Sequence, residues 1–283
     1  MDFKKPQFYF NPKMLLRRLL WRGKRQYTTT SLGFRMHINP NKVMGKSISQ
    51  SGVYDLVLTE VLFRLCRQAN LVIDIGANIG YTVGVAAMAM NEKGRLFAFE
   101  PNPEVLPYLN ENVLQLPLKD IQIFACALSD RMGEAFLQIP QSTDNEGLAH
   151  ITPTNGPDVQ KVITETLDHI LSDVESIDVM KMDVEGHECS VLMGGKKLLS
   201  DKKIKHIIFE DHASYPSEVA QCLMDYGYSI FRLEKGWFGV QLKDPTTAPK
   251  FSGWEPVNYL ATSDVQTVDA IFTKKGYQCL RWA

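Results

Sequence analysis

The sequence predicts an α/β fold in which helices cover both faces of a mostly parallel, doubly wound sheet of seven strands, with an antiparallel hairpin at the carboxyl-terminal end. Short apolar runs alternate with stretches of helical periodicity, and this alternation favours parallel pairing. The runs are apolar at almost every position, as expected for strands that are covered on both faces. Two more apolar runs follow the last helix and supply the hairpin.

The predicted elements follow one another in a regular order. An amphipathic helix comes first, over residues 53–67, because its apolar residues recur at helical spacing. Five buried strands are predicted at 71–75, 95–100, 121–127, 177–183 and 205–211. The helices that separate and follow them are predicted at 80–90, 103–115, 187–199 and 217–226. The last two strands have the sequences YSIFRLE and VNYLATS.

Two stretches interrupt this order. Residues 127–139 are interpreted as a turn between two strands, and residues 140–160, rich in Pro, Thr, Asn and Gly, as a long loop. We expect three parts in the chain: a basic extension and lead-in over 1–50, the α/β domain over 51–263, and a tail over 264–283.

The charge is distributed unevenly along the 283 residues, whose formal net charge is -1. Residues 1–30 carry eight lysines and arginines against one aspartate, so the rest of the chain is mildly acidic. This body disfavours nucleic acid as a partner, whereas the basic arm allows peripheral contact with an anionic membrane. The sequence does not indicate an oligomeric state.

Cysteine usage and hydropathy indicate the compartment. The five cysteines are scattered and form no Cys-x-x-Cys pair, which predicts a reducing, cytoplasmic location, at the inner face of a membrane if the arm binds lipid. No run reaches the roughly 20 apolar residues of a membrane span.

A glycine-rich turn and a distant acid predict a nucleoside site. The segment DIGANIG, residues 74–80, joins a buried strand to a helix, and its glycines allow the backbone to pass close to a ligand. Glu100 ends the next predicted strand, 20 residues after Gly80. An acid at this spacing along the chain can bind both hydroxyls of a ribose. The spacing differs from the Gly-x-Gly-x-x-Gly of pyrophosphate binders, so an adenosyl-sulfonium cofactor fits better than NAD. A cationic sulfonium also suits the carboxylates that end four of the five strands.

These segments resemble, in order and spacing, the FkbM-type family of class I methyltransferases that use S-adenosylmethionine. The resemblance covers about residues 32–212 and is carried by VIDIGANIGYT, FAFEPNP, ALSDRMGEAFL, ETLD and VMKMDVEGHECSVLMGG. It implies a Rossmann-like fold, S-adenosylmethionine as the cofactor, and O-methylation of a hydroxyl on a sugar, glycan or secondary metabolite. By this similarity Glu100 holds the ribose. The methionine part is flanked by Asp74, Gly76, Asn78 and Gly80, and the adenine is bordered by Asn102 and Ala127.

The acceptor chemistry is predicted at the ends of the fourth and fifth strands. Asp183 would project over the methyl group or bind the cofactor's amine, and Glu210 would lie beside it. His187 is a candidate general base because its ordinary pKa is near 6.5, and the alternative is an exposed residue at a helix start. Glu185 either contacts the acceptor or caps that helix. With His212, these acids could also hold a divalent metal, which we do not favour.

Two other functions stay open on the sequence. An RNA methyltransferase would use the arginines and aromatic residues of the basic arm. A non-catalytic, cofactor-binding domain would rest on a membrane through the same arm. Trp237, Phe238 and Trp254 could line an acceptor groove or pack within the carboxyl-terminal hairpin.

Overall fold

The computed structural model describes residues 12–21, 23, 25–140, 144–211, 213, 215–247 and 257–280. The arm before Pro12, His212 and Trp254 entered the expectations above and lie outside the described residues.

The described residues form fourteen strands and ten α-helices. The strands are β1 (Tyr27–Thr29), β2 (Arg35–His37), β3 (Leu71–Ile75), β4 (Arg95–Phe99), β5 (Asp120–Phe124), β6 (Ala127–Leu128), β7 (Gly133–Gln138), β8 (His150–Thr152), β9 (Val159–Glu165), β10 (Ile177–Met182), β11 (Ile204–Asp211), β12 (Ser229–Gly236), β13 (Gly239–Lys243) and β14 (Val257–Thr262). The helices are α1 (Pro12–Leu20), α2 (Val43–Ser51), α3 (Leu56–Cys66), α4 (Tyr81–Ala89), α5 (Leu106–Val113), α6 (Leu167–Ile170), α7 (Glu188–Met193), α8 (Lys196–Ser200), α9 (Glu218–Asp225) and α10 (Val265–Phe272).

The large sheet confirms the predicted architecture. Its strand order is β13-β12-β14-β11-β10-β3-β4-β5, and the five strands from β11 to β5 are mutually parallel. All seven predicted strands are present, and β13 adds an eighth by pairing with β12 across a tight turn. The chain runs outward from β3 to β5 and then returns to β10 beside β3. This reversal opens a crevice at the carboxyl ends of β3 and β10, where ligands bind in such folds.

Apolar side chains cover the two faces of the sheet as separate layers. Val72, Leu96 and Val179 point into one core, which α3 and α4 cover. Ile73, Phe97 and Met180, their chain neighbours, point into the other core, together with residues of α7 and α9. Because successive strand residues alternate between faces, near-continuous apolar runs fill both cores. The predicted helix at 187–199 is divided into α7 and α8, which Gly194 and Gly195 separate.

A second, smaller sheet replaces part of the predicted loop. The stretch 140–160 includes β8 and the start of β9, so its interpretation as a loop throughout was wrong. The strands β6 and β7 exist as predicted, but both pair with β9 rather than with each other. Leu137, Ile139 and Val162 form a small core under this sheet. Val162 of β9 is distant in the chain from Leu137 and Ile139, so local periodicity does not predict their contact.

Both ends of the described chain pack onto the α/β body. Phe34, between β1 and β2, lies against Gly84 of α4, where a Cβ would overlap its ring. In the tail, Val268, Tyr277 and Cys279 are completely buried in the same core. In the part of the chain that the structure describes, no helix combines the length and the apolar character needed to cross a membrane.

Candidate active site

A cavity of about 1510 Å³ opens at the carboxyl ends of the parallel strands. Nine of the eleven predicted site residues line it: Gly76, Asn78, Glu100, Asn102, Ala127, Asp183, Glu185, His187 and Glu210. Asp74 and Gly80 do not reach its wall. The strand reversal and the predicted chemistry therefore coincide in one place.

Gly76 and Gly80 are glycines for different reasons. Gly76 has φ +75°, and a Cβ there would overlap the carbonyl oxygen of Asp183, so β3 and β10 approach closely only without a side chain. Gly80 has φ +87° and begins α4, and a Cβ would lie 2.8 Å from Leu109 of α5. The first glycine shapes the cavity wall, and the second packs one helix against another.

Glu100 is a buried acceptor at the end of β4. Its two carboxylate oxygens accept hydrogen bonds from the backbone N–H groups of Asn78 and Asn102, each at 2.8 Å. Burial raises its pKa to about 7, against the opposing effect of these two hydrogen bonds. Each oxygen keeps a lone pair for a further donor. Glu100 is thus oriented to accept hydrogen bonds from two neighbouring hydroxyl groups.

Lys181 is a buried cation that the sequence reasoning missed. Its Nζ donates to the carbonyl oxygen of Gly76 at 2.8 Å and lies 3.3 Å from Oδ1 of Asp74 and 3.6 Å from Oδ2 of Asp183. Burial works to lower its pKa, but Asp74 and Asp183 outweigh this effect and raise it. The charged ammonium therefore joins the glycine turn to both strands. A lysine inside the apolar run IDVMKM is the signal, because a buried charge needs partners.

Asp74 acts from behind the cavity wall. It is 2% exposed, and Thr82 of α4 donates a hydrogen bond to its Oδ2. Burial raises its pKa, although Lys181 opposes the shift. Its carboxylate holds Lys181 and the first turn of α4, which sets the position of the glycine turn between them.

Two carboxyl groups with strongly raised pKa values lie on the other side of the cavity. Burial and the nearby charge of Asp183 raise the pKa of Glu210 in β11 to about 8 and that of Glu185 to about 7. Glu185 has φ +52°, a conformation that costs energy for a residue with a side chain. It does not cap α7, since the residue at the start of that helix is His187. Acids tuned to near-neutral pKa values are suited to taking up a proton.

His187 lies half-buried on the same wall. Its Nε2 is 3.0 Å from Oγ of Ser129, and burial lowers its pKa. The neighbouring Glu188 accepts hydrogen bonds from the backbone N–H groups of Val184 and Gly186, at 3.1 and 3.4 Å, and so holds the loop that carries Glu185. Ser129 follows β6 in the small sheet, and the sequence pattern did not single it out.

The described residues hold no group of three or more His, Cys, Asp or Glu side chains arranged to bind a metal ion. Asp183 and Glu210 end neighbouring strands, as the sequence suggested, and Nζ of Lys181 lies 3.6 Å from Oδ2 of Asp183.

The fold and the cavity define a class of protein: a doubly wound α/β domain with a glycine turn and a buried, oriented acid at its strand reversal. The description "Methyltransferase FkbM domain" belongs to a family model that matches residues 74–230, more than half of the chain. The chain therefore belongs to the FkbM methyltransferase family.

Two characterised relatives agree with this assignment. The hexuronic acid methyltransferase AglP of Haloferax volcanii is 30% identical over 166 residues, which cover 58% of this chain and 66% of that protein. The 2-O-methyltransferase NoeI of Sinorhizobium fredii is 29% identical over 179 residues, which cover 56% of this chain and 71% of that protein. The chain thus spans just under two thirds of the first relative.

A distant likeness to a solved structure was also found. A precorrin-6y C5,15-methyltransferase from Geobacter metallireducens superposes with a TM-score of 0.42 and 14% identity, over 72% of this chain and 86% of that one. A likeness this distant adds nothing to the family assignment, which depends on the sequence match.

Proposed function

We propose that the protein transfers a methyl group from S-adenosylmethionine to a hydroxyl of a sugar, glycan or similar small molecule. One observation carries the proposal. Glu100, an oriented acceptor for a diol, and Glu210, a carboxyl group of raised pKa, line the same cavity from strands on opposite sides of the β3–β10 reversal. A nucleoside cofactor and a hydroxyl-bearing acceptor would meet between them.

The cofactor half of the cavity fits S-adenosylmethionine. Glu100 would accept hydrogen bonds from the two ribose hydroxyls, and Asn102 and Ala127 would border the adenine. Gly76 and Asn78 would lie along the methionine chain, with Asp183 at its amine. Asp74 and Gly80 would support this wall from behind. When bound, the cofactor supplies an electrophilic methyl group, whose bonding electrons to sulfur stay with the sulfur on transfer.

The acceptor half would activate the hydroxyl. As the acceptor oxygen bonds to the methyl carbon, its proton must leave, and a positioned base accelerates this step by about 10²- to 10⁴-fold. We assign that role to Glu210, with Glu185 beside it and Asp183 and His187 positioning the acceptor. Holding the oxygen in line with the methyl group supplies the remaining advantage. No metal ion is needed in this scheme.

The names of the two relatives support a sugar acceptor, since one is called a hexuronic acid methyltransferase and the other a 2-O-methyltransferase. A small-molecule acceptor also agrees with the concave, partly apolar cavity, whereas an RNA duplex would need an extended basic surface.

Transfer of labelled methyl groups tests the function. The purified protein would be incubated with methyl-labelled S-adenosylmethionine and a cell extract divided into RNA, lipid-linked glycan and small-molecule pools, with Glu100→Ala as the control. Label in a glycan or small-molecule pool, absent with the variant and unchanged by EDTA, supports the proposal. Label confined to RNA would overturn the acceptor class, and loss of transfer in EDTA would overturn the metal-free scheme.

We also propose that the protein works in the cytoplasm and contacts the inner face of a membrane through α1. Leu16 and Leu19 of this helix are 57% and 54% exposed, within the basic arm. An apolar surface flanked by cations suits anionic lipid. Co-sedimentation with phosphatidylserine vesicles should fall in the double variant Leu16→Ser and Leu19→Ser. Equal binding by the variant would contradict the proposal.

A further inference from the structure

The turn between β12 and β13 presents two aromatic side chains that the fold does not use. Trp237 and Phe238 are 52% and 72% exposed. Trp237 lines the large cavity, whereas Phe238 is not part of its wall. The sequence left open whether these residues pack inside the hairpin, and their exposure shows that they do not. A tryptophan on a cavity wall offers a ligand a large apolar ring with one polar N–H group, and tryptophan is enriched at binding interfaces.

Hydrogen bonds from the carboxyl-terminal tail fix the position of this turn. The carbonyl oxygen of Gly236 accepts a hydrogen bond from the hydroxyl of Tyr277 at 2.7 Å, and that of Phe238 accepts one from the backbone N–H of Gly276 at 2.6 Å. Gly276 is itself bound by the buried guanidinium of Arg64, at 2.6 Å. A ring presented on a fixed support loses little freedom when a ligand binds.

Polar side chains on the cavity wall suit a hydroxyl-rich ligand, and the charged residues Arg232, Glu234 and Lys235 of β12 line the same cavity. Tyr54, which is 36% exposed, and the amide side chains of Gln50, Gln241 and Asn258 line the same cavity. Amides donate and accept hydrogen bonds at once, as hydroxyl groups do. The C–H groups on one face of a sugar ring are apolar and pack against an aromatic ring, while its hydroxyls point outward to such amides.

The size of the cavity indicates a large acceptor. Its volume of about 1510 Å³ exceeds the roughly 300–1,000 Å³ of a pocket for one drug-sized ligand. Space therefore remains for a second molecule after the cofactor is bound, in a cavity whose wall includes Trp237.

We infer that Trp237 forms a sugar-stacking subsite that binds a glycan acceptor of more than one residue and presents one of its hydroxyls to Glu210. The inference rests on the proposed function and adds to it the class of acceptor and the residue that selects it.

Glycan binding and cofactor binding are measured separately to test this. The full chain, saturated with S-adenosylhomocysteine, is applied to an array of immobilised oligosaccharides that contain neutral sugars and uronic acids. Trp237→Ala should weaken binding to the glycans that the natural protein retains by about tenfold or more. Trp237→Tyr should keep most of the affinity. Phe238→Ala is the matched control, because Phe238 is an exposed aromatic residue in the same turn but off the cavity wall, and it should bind within about twofold.

The other outcomes distinguish the two proposals. Each variant's affinity for S-adenosylhomocysteine, measured by calorimetry, should equal that of the natural protein. If the natural protein binds S-adenosylhomocysteine but no glycan, or if Trp237→Ala and Phe238→Ala lose glycan binding equally, the subsite is wrong and the methyltransferase function stands. If the natural protein does not bind S-adenosylhomocysteine, the proposed function itself fails.

Discussion

The residues around Glu210 set the pKa of this proposed proton acceptor. Burial and the charge of Asp183 both favour its protonated form, while Lys181 opposes them. A carboxylate of ordinary pKa would be too weak a base at neutral pH, whereas one whose pKa is about 8 is closer to the optimum. Burial and the neighbouring carboxylate of Asp183 thus raise the basicity of Glu210.

A pH profile tests this role. Since a base acts when deprotonated, kcat/KM for the acceptor should rise with pH toward a plateau above about 8. Glu210→Gln should lower the plateau by about 10²-fold or more and remove the ionisation from the profile. Initial rates between pH 6 and 9 give both quantities.

Stability measurements show whether Glu210→Gln loses activity because the base is missing or because the protein unfolds. A carboxyl group whose pKa is raised on folding lowers stability as pH rises from its unfolded value toward its folded value. Glu210→Gln removes that loss, so the variant should be at least as stable as the natural protein at pH 8. Glu134→Gln, on the exposed face of β7, is the control, and its stability should depend on pH as that of the natural protein does. Unchanged catalysis in Glu210→Gln would transfer the role to Glu185.

In the turn after β3, a residue with an unusual backbone conformation forms part of the cavity wall. Gly76 has positive φ and no room for a side chain, while Gly33 has positive φ, at +90°, with no atom within 4 Å of a Cβ placed there. Substitutions at these two glycines therefore distinguish the cost of backbone strain from the cost of steric overlap.

Alanine at these two positions should therefore behave differently. Gly33→Ala should lower the free energy of unfolding by about 1–2 kcal/mol, the cost of the left-handed conformation. Gly76→Ala should cost about 3 kcal/mol or more, because β3 and β10 must also separate, and should abolish cofactor binding. Urea unfolding and calorimetry with S-adenosylhomocysteine measure the two effects. Equal losses in both variants would show that the close contact with Asp183 is unimportant.

A buried ion pair helps to hold the carboxyl-terminal tail on the folded body. Arg64 and Glu60 of α3 have side chains 2% and 0% exposed, with Nε and Oε1 2.6 Å apart. Arg64 donates to the carbonyl oxygens of Ile271, Lys274 and Gly276, and Glu60 accepts from the backbone N–H groups of Gln278 and Cys279. The pair thus satisfies backbone groups that would otherwise be buried without partners.

Removing one partner should be costly. Arg64→Met leaves the Glu60 carboxylate buried without its cation and should lower the free energy of unfolding by about 3–5 kcal/mol. Lys161→Met breaks an exposed pair with Glu134 and should change it by less than about 1 kcal/mol. Urea unfolding gives both values. Limited proteolysis should cut the tail first in Arg64→Met, and an unaltered cleavage pattern would contradict the role assigned to the pair.

The strands, the helices around them and most of the candidate site residues could be predicted because their signals are local. Buried strands are continuous apolar runs, and the glycine turn and Glu100 have a recognisable spacing. Parallel strands bring their carboxyl ends to one edge of a sheet, so residues at those ends were expected to meet. Nine of the eleven candidates do line one cavity.

The features that the sequence did not predict depend on contacts between residues that are far apart in the chain. Lys181 meets Gly76 across 105 positions, and Tyr277 supports Gly236 across 41. The same holds for the small sheet, for the burial of Asp74 and for the exposure of Trp237. A sequence pattern reports the polarity and periodicity of neighbouring residues. The partner of a buried charge, the glycine that lines the cavity and the ring left outside the core follow only from how the elements pack.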